Sequence, residues 1–259
     1  MKKFKWQPNR ITKVNINDLK KRFLVPGRFK RYSSDEIPDQ YSRGWVNSNL
    51  HFRISERVSK VKLVITPEMT RVYKRHGILE LSKILDYPPW NLFVRLNKSN
   101  GTKSDYYHEQ MKIALLNDIQ SPLMQKIGKK KADKFEAKMI KFFKKQGVKI
   151  KDEKDLVQEQ IDMYGKPMWT VDLWFADNPI MINGHKVHWI ECKNYMLTES
   201  INKLFLPSVR KQLRKYRAQW GPGAVAFSKG FTCNLNEKGI LVLDAHEFKK
   251  KIKIEKKNS

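Results

Sequence analysis

Trp189-Ile190-Glu191-Cys192-Lys193, reached from Thr170-Val171-Asp172 through the turn Asn183-Gly184, is the stretch on which fold and chemistry both hinge. Side chains two apart in a strand share a face, so Glu191 and Lys193 project together while Ile190 and Cys192 enter the opposite layer. Asn-Gly is the strongest two-residue hairpin signal, so a strand over 185–192 is expected to return antiparallel to one over 169–175. The arms are unequal in length. Asp177-Asn178-Pro179 interrupts the outgoing arm, since proline donates nothing to a ladder, and the irregularity expected there lets Asp172 lie near Glu191. Two carboxylates and an ammonium then surround one point. The carboxylates can hold Mg²⁺ (or Mn²⁺), and the amine can orient or activate a water for attack on a phosphodiester.

Working outward, helical and strand patterns alternate. A helix over 132–146 ends at Gly147, and a strand follows over 148–150. Asp152-Glu153 opens a turn or helix, then come the two hairpin arms. A helix over 206–220 is stopped by Gly221-Pro222-Gly223, and strands over 224–231 and 240–243 complete the order. That succession predicts an α/β fold, a mixed sheet flanked by helices. Phe135, Met139, Phe142 and Phe143 recur at helical spacing and form the core stripe of the first helix. Its remaining surface carries Lys134, Lys138, Lys141, Lys144 and Lys145, preceded by Lys129-Lys130-Lys131, and reads as the edge of a phosphate-binding channel or as a solvated face.

Glu-x-Lys by itself says little, because it recurs at Glu136/Lys138, Glu247/Lys249 and Glu255/Lys257. Glu191 differs in closing a β-run that pairs with an Asp-bearing strand. Glu136 adds a carboxylate on the helix before the sheet. On the helix after it, Gln212 and Tyr216 are four apart and share a face. Arg210, Lys211, Arg214 and Lys215 surround them and could grip a nucleic-acid backbone or stabilise a phosphoryl transition state.

Upstream, residues 1–50 form a basic extension with interspersed apolar residues, and residues 51–125 a helical domain. Thr66-Pro67-Glu68 opens a helix with a cap, a first-turn proline and a dipole-complementing acid. The runs 78–85 and 90–96, joined by Asp86-Tyr87-Pro88-Pro89, resemble a helix-turn-helix, with Trp90, Asn91 and Arg95 toward the exposed face that would enter a major groove. An ordinary helical hairpin is the competing reading. Asn100-Gly101 and Ser121-Pro122 bracket a further helix over 105–120. Residues 126–248 make up the α/β domain, and 249–259 a basic tail.

The charge balance supports the chemistry. The 259 residues carry 53 Lys and Arg against 26 Asp and Glu, a formal charge of +27, which favours a polyanionic partner. No apolar run approaches the ~20 residues of a membrane span, so a nucleic acid is expected rather than a membrane. The two cysteines, Cys192 and Cys233, fall in apolar runs and read as free thiols of an intracellular protein of the nucleus, the cytoplasm or both. Zinc is not expected from His185, His188 and Cys192, because a closed site needs four ligands and the histidines fall on opposite strand faces.

Asp172, Glu191-Cys192-Lys193 and Gln212-x-x-x-Tyr216 resemble the PD-(D/E)xK nuclease superfamily. Further stretches match in order: Gly128 through Phe135-Glu136, Asp152-Glu153-x-x-Leu156, Thr170-x-Asp172, Gly184-His185-x-Val187-x-Trp189, Gly221-Pro222-Gly223, Gly230-Phe231 and Gly239-Ile240-Leu241. Together they resemble the codanin-interacting nuclease family, named for a Thr-Pro-Asp signature in which Val171 here replaces the proline. The resemblance implies a restriction-endonuclease-like fold for 126–248 and a Mg²⁺- or Mn²⁺-dependent nuclease acting on DNA rather than RNA. It implies Asp172 and Glu191 as metal ligands with the Cys192 carbonyl as a further one, Lys193 on the water, Glu136 assisting, and Gln212 and Tyr216 lining the site. In an animal host it also implies a codanin-like protein partner. The alternative is a non-catalytic nucleic-acid-binding or adaptor protein that keeps the fold.

Overall fold

A computed structural model describes residues 1–7, 15–98, 104–175, 178–204 and 206–255, without the side chains of 202–206. The helices are α1 (Ile16–Phe23), α2 (Gln40–Lys60), α3 (Pro67–Leu85), α4 (Pro89–Leu96), α5 (Asp105–Asn117), α6 (Pro122–Lys145), α7 (Glu153–Tyr164), α8 (Glu199–Leu204), α9 (Leu206–Trp220) and α10 (Phe248–Lys251). The strands are β1 (Lys3–Trp6), β2 (Lys151–Asp152), β3 (Leu173–Trp174), β4 (Ile180–Ile182), β5 (His185–Val187), β6 (Trp189–Lys193), β7 (Gly223–Phe227), β8 (Ile240–Asp244) and β9 (Ile252–Ile254). The chain forms two compact units: Met1–Thr12 with Lys130–Ser259, and Lys13–Lys129. No helix among the described residues is long and apolar enough to cross a membrane.

The first unit holds two mixed sheets flanked by helices, ordered β2-β3-β6-β7-β8 and β5-β4-β1-β9. In the former, β2, β3 and β6 pair antiparallel, and β6, β7 and β8 parallel. One apolar core joins Phe135, Met139 and Phe143 of α6 to Ile190, Ala224 and Leu243 of one sheet and to Phe4, Ile180 and Ile182 of the other.

The Asn183-Gly184 hairpin forms as the sequence predicts, but its arms serve both sheets. β4 and β5 flank the turn, with Ile182 opposite His185, whereas farther out Trp174 pairs with Trp189. Between these two pairings the register shifts by four, and the Phe175 N–H donates to the His188 carbonyl at 2.8 Å. Asp177 itself lies outside the described residues, as does the Asn100-Gly101 turn. Sequence reasoning anticipated an irregularity at this place, though not the change of sheet that accompanies it.

The ends of this unit differ from the expectation of a basic arm and tail. Lys3-Phe4-Lys5-Trp6 alternates exposed lysines with buried rings and runs as β1, parallel to β4 and antiparallel to β9. The charge conceals a period-two pattern. The Trp6 indole donates to the Asp244 carbonyl at 2.9 Å, and Asp244 pairs with Lys251 of α10. The strand expected at 148–150 lies slightly later, as β2. The one expected at 224–231 stops at Phe227, beyond which Gly230 turns the chain at φ +81°.

In the second unit, the Thr66 side chain caps α3 by accepting from Met69 N at 3.2 Å. Gly77 (φ +82°, ψ 176°) breaks α3 in two, and the buried Gln110 of α5 accepts the Ile78 N–H released there at 2.8 Å. α3, α4 and α5 share a core of Tyr73, Ile78, Leu81, Tyr87, Leu92, Phe93 and Ala114. Trp90 packs against this core and stacks on Phe93 with centroids 6.0 Å apart, so its ring is not presented on an open face as the sequence suggested. Asn91 is half-buried. Arg95 is exposed, yet its guanidinium donates to the Leu63 carbonyl at 3.1 Å.

Candidate active site

The site lies on the face of β3 and β6 turned away from the main core. Val171, Leu173 and Phe175 are fully buried on one side, which leaves Asp172 and Trp174 on the other. With Leu173 opposite Ile190, the next pair outward is Asp172 and Glu191. Each strand holds the other's carboxylate: the Cys192 N–H donates to Asp172 Oδ2 at 2.5 Å, and the Asp172 N–H to the Glu191 carboxylate. Lys193 Nζ lies 2.7 Å from Glu191 Oε1. Ile190 is in the core and Cys192 packs against it, as the alternation predicts. Cys192 is a free thiol, and burial pushes it up.

Beneath the carboxylates lies a floor of aromatic groups. Trp189 shares their face; its indole donates to the Gly221 carbonyl at 2.9 Å, and its ring meets Tyr216 edge-on at 5.5 Å. A Cβ on Gly223 would come within 2.1 Å of that ring, which explains the glycine after Pro222. Gln212 Nε2 donates to the Tyr216 hydroxyl at 2.6 Å, so the two do share a face of α9.

The electrostatics are those of crowded acids with one ammonium. Asp172 is pushed up to about 8, first by burial and then by the Glu191 charge, against the Cys192 N–H. Burial also raises Glu191, although Lys193 opposes it. Glu136 on α6 is pushed up to about 7 by burial and by the charges of Glu153, Asp133, Asp152 and Glu191. Burial works to lower Lys193, but the Glu191 carboxylate overrides it and holds the amine above its ordinary range. Tyr216 is raised by burial and then by Glu191.

Sequence reasoning missed Glu153 and Tyr195. Glu153 opens α7, accepts from Thr170 Oγ1 at 3.2 Å, and presses on both Glu136 and Glu191. Asp152 before it is a helix cap, accepting from Lys154 N and Asp155 N at 3.1 Å each. Tyr195 continues the alternation of Glu191 and Lys193, and that period was the available signal; burial raises it and the Lys193 charge opposes. Among the described residues no three His, Cys, Asp or Glu side chains form a preassembled metal cluster.

The cations expected to grip nucleic acid differ among themselves. Arg214 forms a two-pronged pair with Glu237, at 3.0 and 2.9 Å, and Arg210 Nε lies 3.3 Å from the same carboxylate while its NH2 donates to the Leu235 carbonyl. These arginines fasten the segment before β8 to α9. Lys129, Lys130, Lys131, Lys134, Lys138 and Lys141 are exposed, and none forms an ion pair among the described residues.

A family model described as a protein of unknown function with a TPD sequence motif matches residues 103–246, more than half the chain. The chain belongs to this TPD-motif family. Within the family motif this member carries Val171 at the middle position, fully buried, with Asp172 still on the site face. The uncharacterized protein L539 of Acanthamoeba polyphaga mimivirus is 26% identical over 217 residues, 77% of this chain and 72% of its own. A Xenopus laevis protein named CDAN1-interacting nuclease 1 is 29% identical over 139 residues, 52% of this chain. The match spans 43% of the frog protein's length. No solved structure matches the chain.

Proposed function

We propose that this member of the TPD-motif family is a Mg²⁺- or Mn²⁺-dependent nuclease that hydrolyses phosphodiester bonds in DNA, with residues 126–248 a restriction-endonuclease-like domain of the PD-(D/E)xK type. The observation that carries the reading is the register that faces Asp172 with Glu191 while Lys193 shares their side of the sheet. The frog relative's name supports the same reaction class. By the same name, a codanin-like protein is the proposed protein partner.

The donor set suits the metal. Mg²⁺ is held by one or two hard carboxylates, completed by waters and substrate phosphates rather than an all-protein cage. Two crowded, buried carboxylates with raised proton affinity are groups whose mutual repulsion a dication would relieve. Asp172 and Glu191 would hold it, with Glu136 and the Cys192 carbonyl as further oxygen donors. Bound there, the dication supplies Lewis-acid stabilisation of charge on the phosphoryl and leaving oxygens.

The chain's own groups do the rest. Paired with Glu191, Lys193 stays an ammonium, so it orients the attacking water by donating a hydrogen bond and offsets charge building on the phosphorane-like centre. The Tyr216 hydroxyl accepts from Gln212 and so has its own proton to donate toward the substrate. The exposed lysines of α6 contact backbone phosphates. Incubation of purified chain with labelled single-stranded, duplex and branched DNA in Mg²⁺ or in EDTA tests the proposal. Mg²⁺-dependent cleavage is expected. Binding without cleavage in either metal, together with no Mn²⁺ uptake by calorimetry, would favour the non-catalytic adaptor.

A further inference from the structure

From the last turn of α7 into the loop before β3 the chain exposes every residue from 161 to 169, and this stretch is unusually apolar for an exposed surface. Met163 and Tyr164 are 63% and 57% exposed, Met168 and Trp169 49% and 44%. The loop is nevertheless held in place. Buried Gln160 accepts from Met168 N at 2.6 Å and donates to the Trp169 carbonyl at 3.0 Å, so both backbone directions of the 168–169 segment are tied to α7. Lys215, one residue before Tyr216 on α9, places its ammonium 3.7 Å from the Trp169 ring centroid. Trp169 lies three residues from Asp172, and the intervening Thr170 is bonded to Glu153.

An exposed tryptophan costs nothing to the core here, yet its backbone and one ring face are fixed by three separate contacts. A rigid aromatic surface with an ammonium against it, next to a phosphodiester-cleaving site, has the composition that binds unpaired nucleotides: a base stacks on the ring and the cation meets the adjoining phosphate. A base inside a duplex has both faces already stacked on its neighbours and offers none to such a ring. We infer that Trp169, backed by Lys215, is a stacking platform for an unpaired base next to the scissile phosphate, so that the substrate is single-stranded or locally unpaired nucleic acid. As a statement about substrate, this rests on the nuclease reading; as a statement about binding, it does not.

The test measures binding in EDTA, where cleavage plays no part. Fluorescein-labelled oligothymidylate and an abasic strand of equal length and charge are titrated with the full chain carrying wild-type Trp169, Trp169→Ala or Trp169→Tyr. Trp169→Ala is expected to weaken oligothymidylate binding about tenfold, Trp169→Tyr to restore most of it, and the abasic strand to bind all three alike. Equal affinity of Trp169→Ala and wild type for oligothymidylate overturns the inference and leaves the strip to a protein contact. An equal loss on the abasic strand also overturns it, because the effect would then be one of charge or fold. The fates of the two readings separate cleanly. Tryptophan-dependent binding with no Mg²⁺-dependent cleavage sinks the nuclease and keeps the platform, and cleavage indifferent to Trp169 does the reverse.

Discussion

Asp118 in the helical unit and Asp172 in the sheet unit are both aspartates drawn out of water, and their surroundings are opposite. Asp118 is fully buried and pushed up to about 6 by burial, while N–H groups of Gln120 and Trp90 hold it down. The Gln120 bond, at 2.8 Å, shapes the turn after α5, and the Trp90 bond, at 3.1 Å, fastens the start of α4 to it. Asp172 has one such donor, and its neighbours are carboxylates. Burial alone therefore does not mark a functional acid. What marks it is burial among like charges, an arrangement that costs stability and that a fold has no packing reason to keep.

The largest effect that could break this contrast is on cleavage. Asp172→Ala and Lys193→Ala are each expected to lower Mg²⁺-dependent cleavage by at least ~10³-fold with an unchanged circular dichroism spectrum. If either cleaves like wild type, the contrast fails at its functional end. Asp118→Ala strips two part-buried N–H groups of their acceptor and should destabilise the helical unit by about 1–3 kcal/mol in urea melts. Its cleavage per folded molecule should not change.

The cations divide along the same line. Replacing Lys134, Lys138 and Lys141 by serine should weaken DNA binding about tenfold and flatten the log-log salt slope by about 2–3. Arg214→Ala, which loses its Glu237 partner, should leave that slope unaltered.

The smallest effect sharpens the comparison by pH. Both folded values lie above the ordinary aspartate value of 3.8, so each group's contribution to stability is complete below that pH and lost as pH rises through the folded value. For Asp118 the loss is over by about 6; for Asp172 it continues to about 8. In metal-free buffer, Asp172→Asn should therefore raise the melting temperature at pH 8–9 by roughly 3 °C and leave it unchanged near pH 4. The asparagine oxygen can still accept from Cys192 N.

Much of the site was legible because it lies on a strand. Alternation assigned Glu191 and Lys193 to one face, Asn183-Gly184 fixed the turn, and Pro179 announced the register change that brings Asp172 across. Glu153 was not legible, since a helix-opening acid also satisfies the dipole and nothing local marks it as a neighbour of Glu191. Arg210 and Arg214 read as free cations because Glu237, their partner, is more than twenty residues away and reaches them only through tertiary structure. Likewise, Trp90 looked exposed by helical phase, whereas it packs against the core that α3, α4 and α5 share. At the ends, the density of lysine hid β1 and β9, whose apolar alternation is two residues deep.

That first strand has a consequence for biosynthesis. Residues 3–6 pair with residues 252–254 on one edge and 181–182 on the other, so this segment is synthesised well before either partner and must wait for both before its sheet can close. Meanwhile the helical unit at Lys13–Lys129, whose partners lie within its own span, can fold once that span has emerged. Until then Phe4 and Trp6, buried in the folded unit, stand exposed on the nascent chain, as a natural handle for the cell's folding helpers.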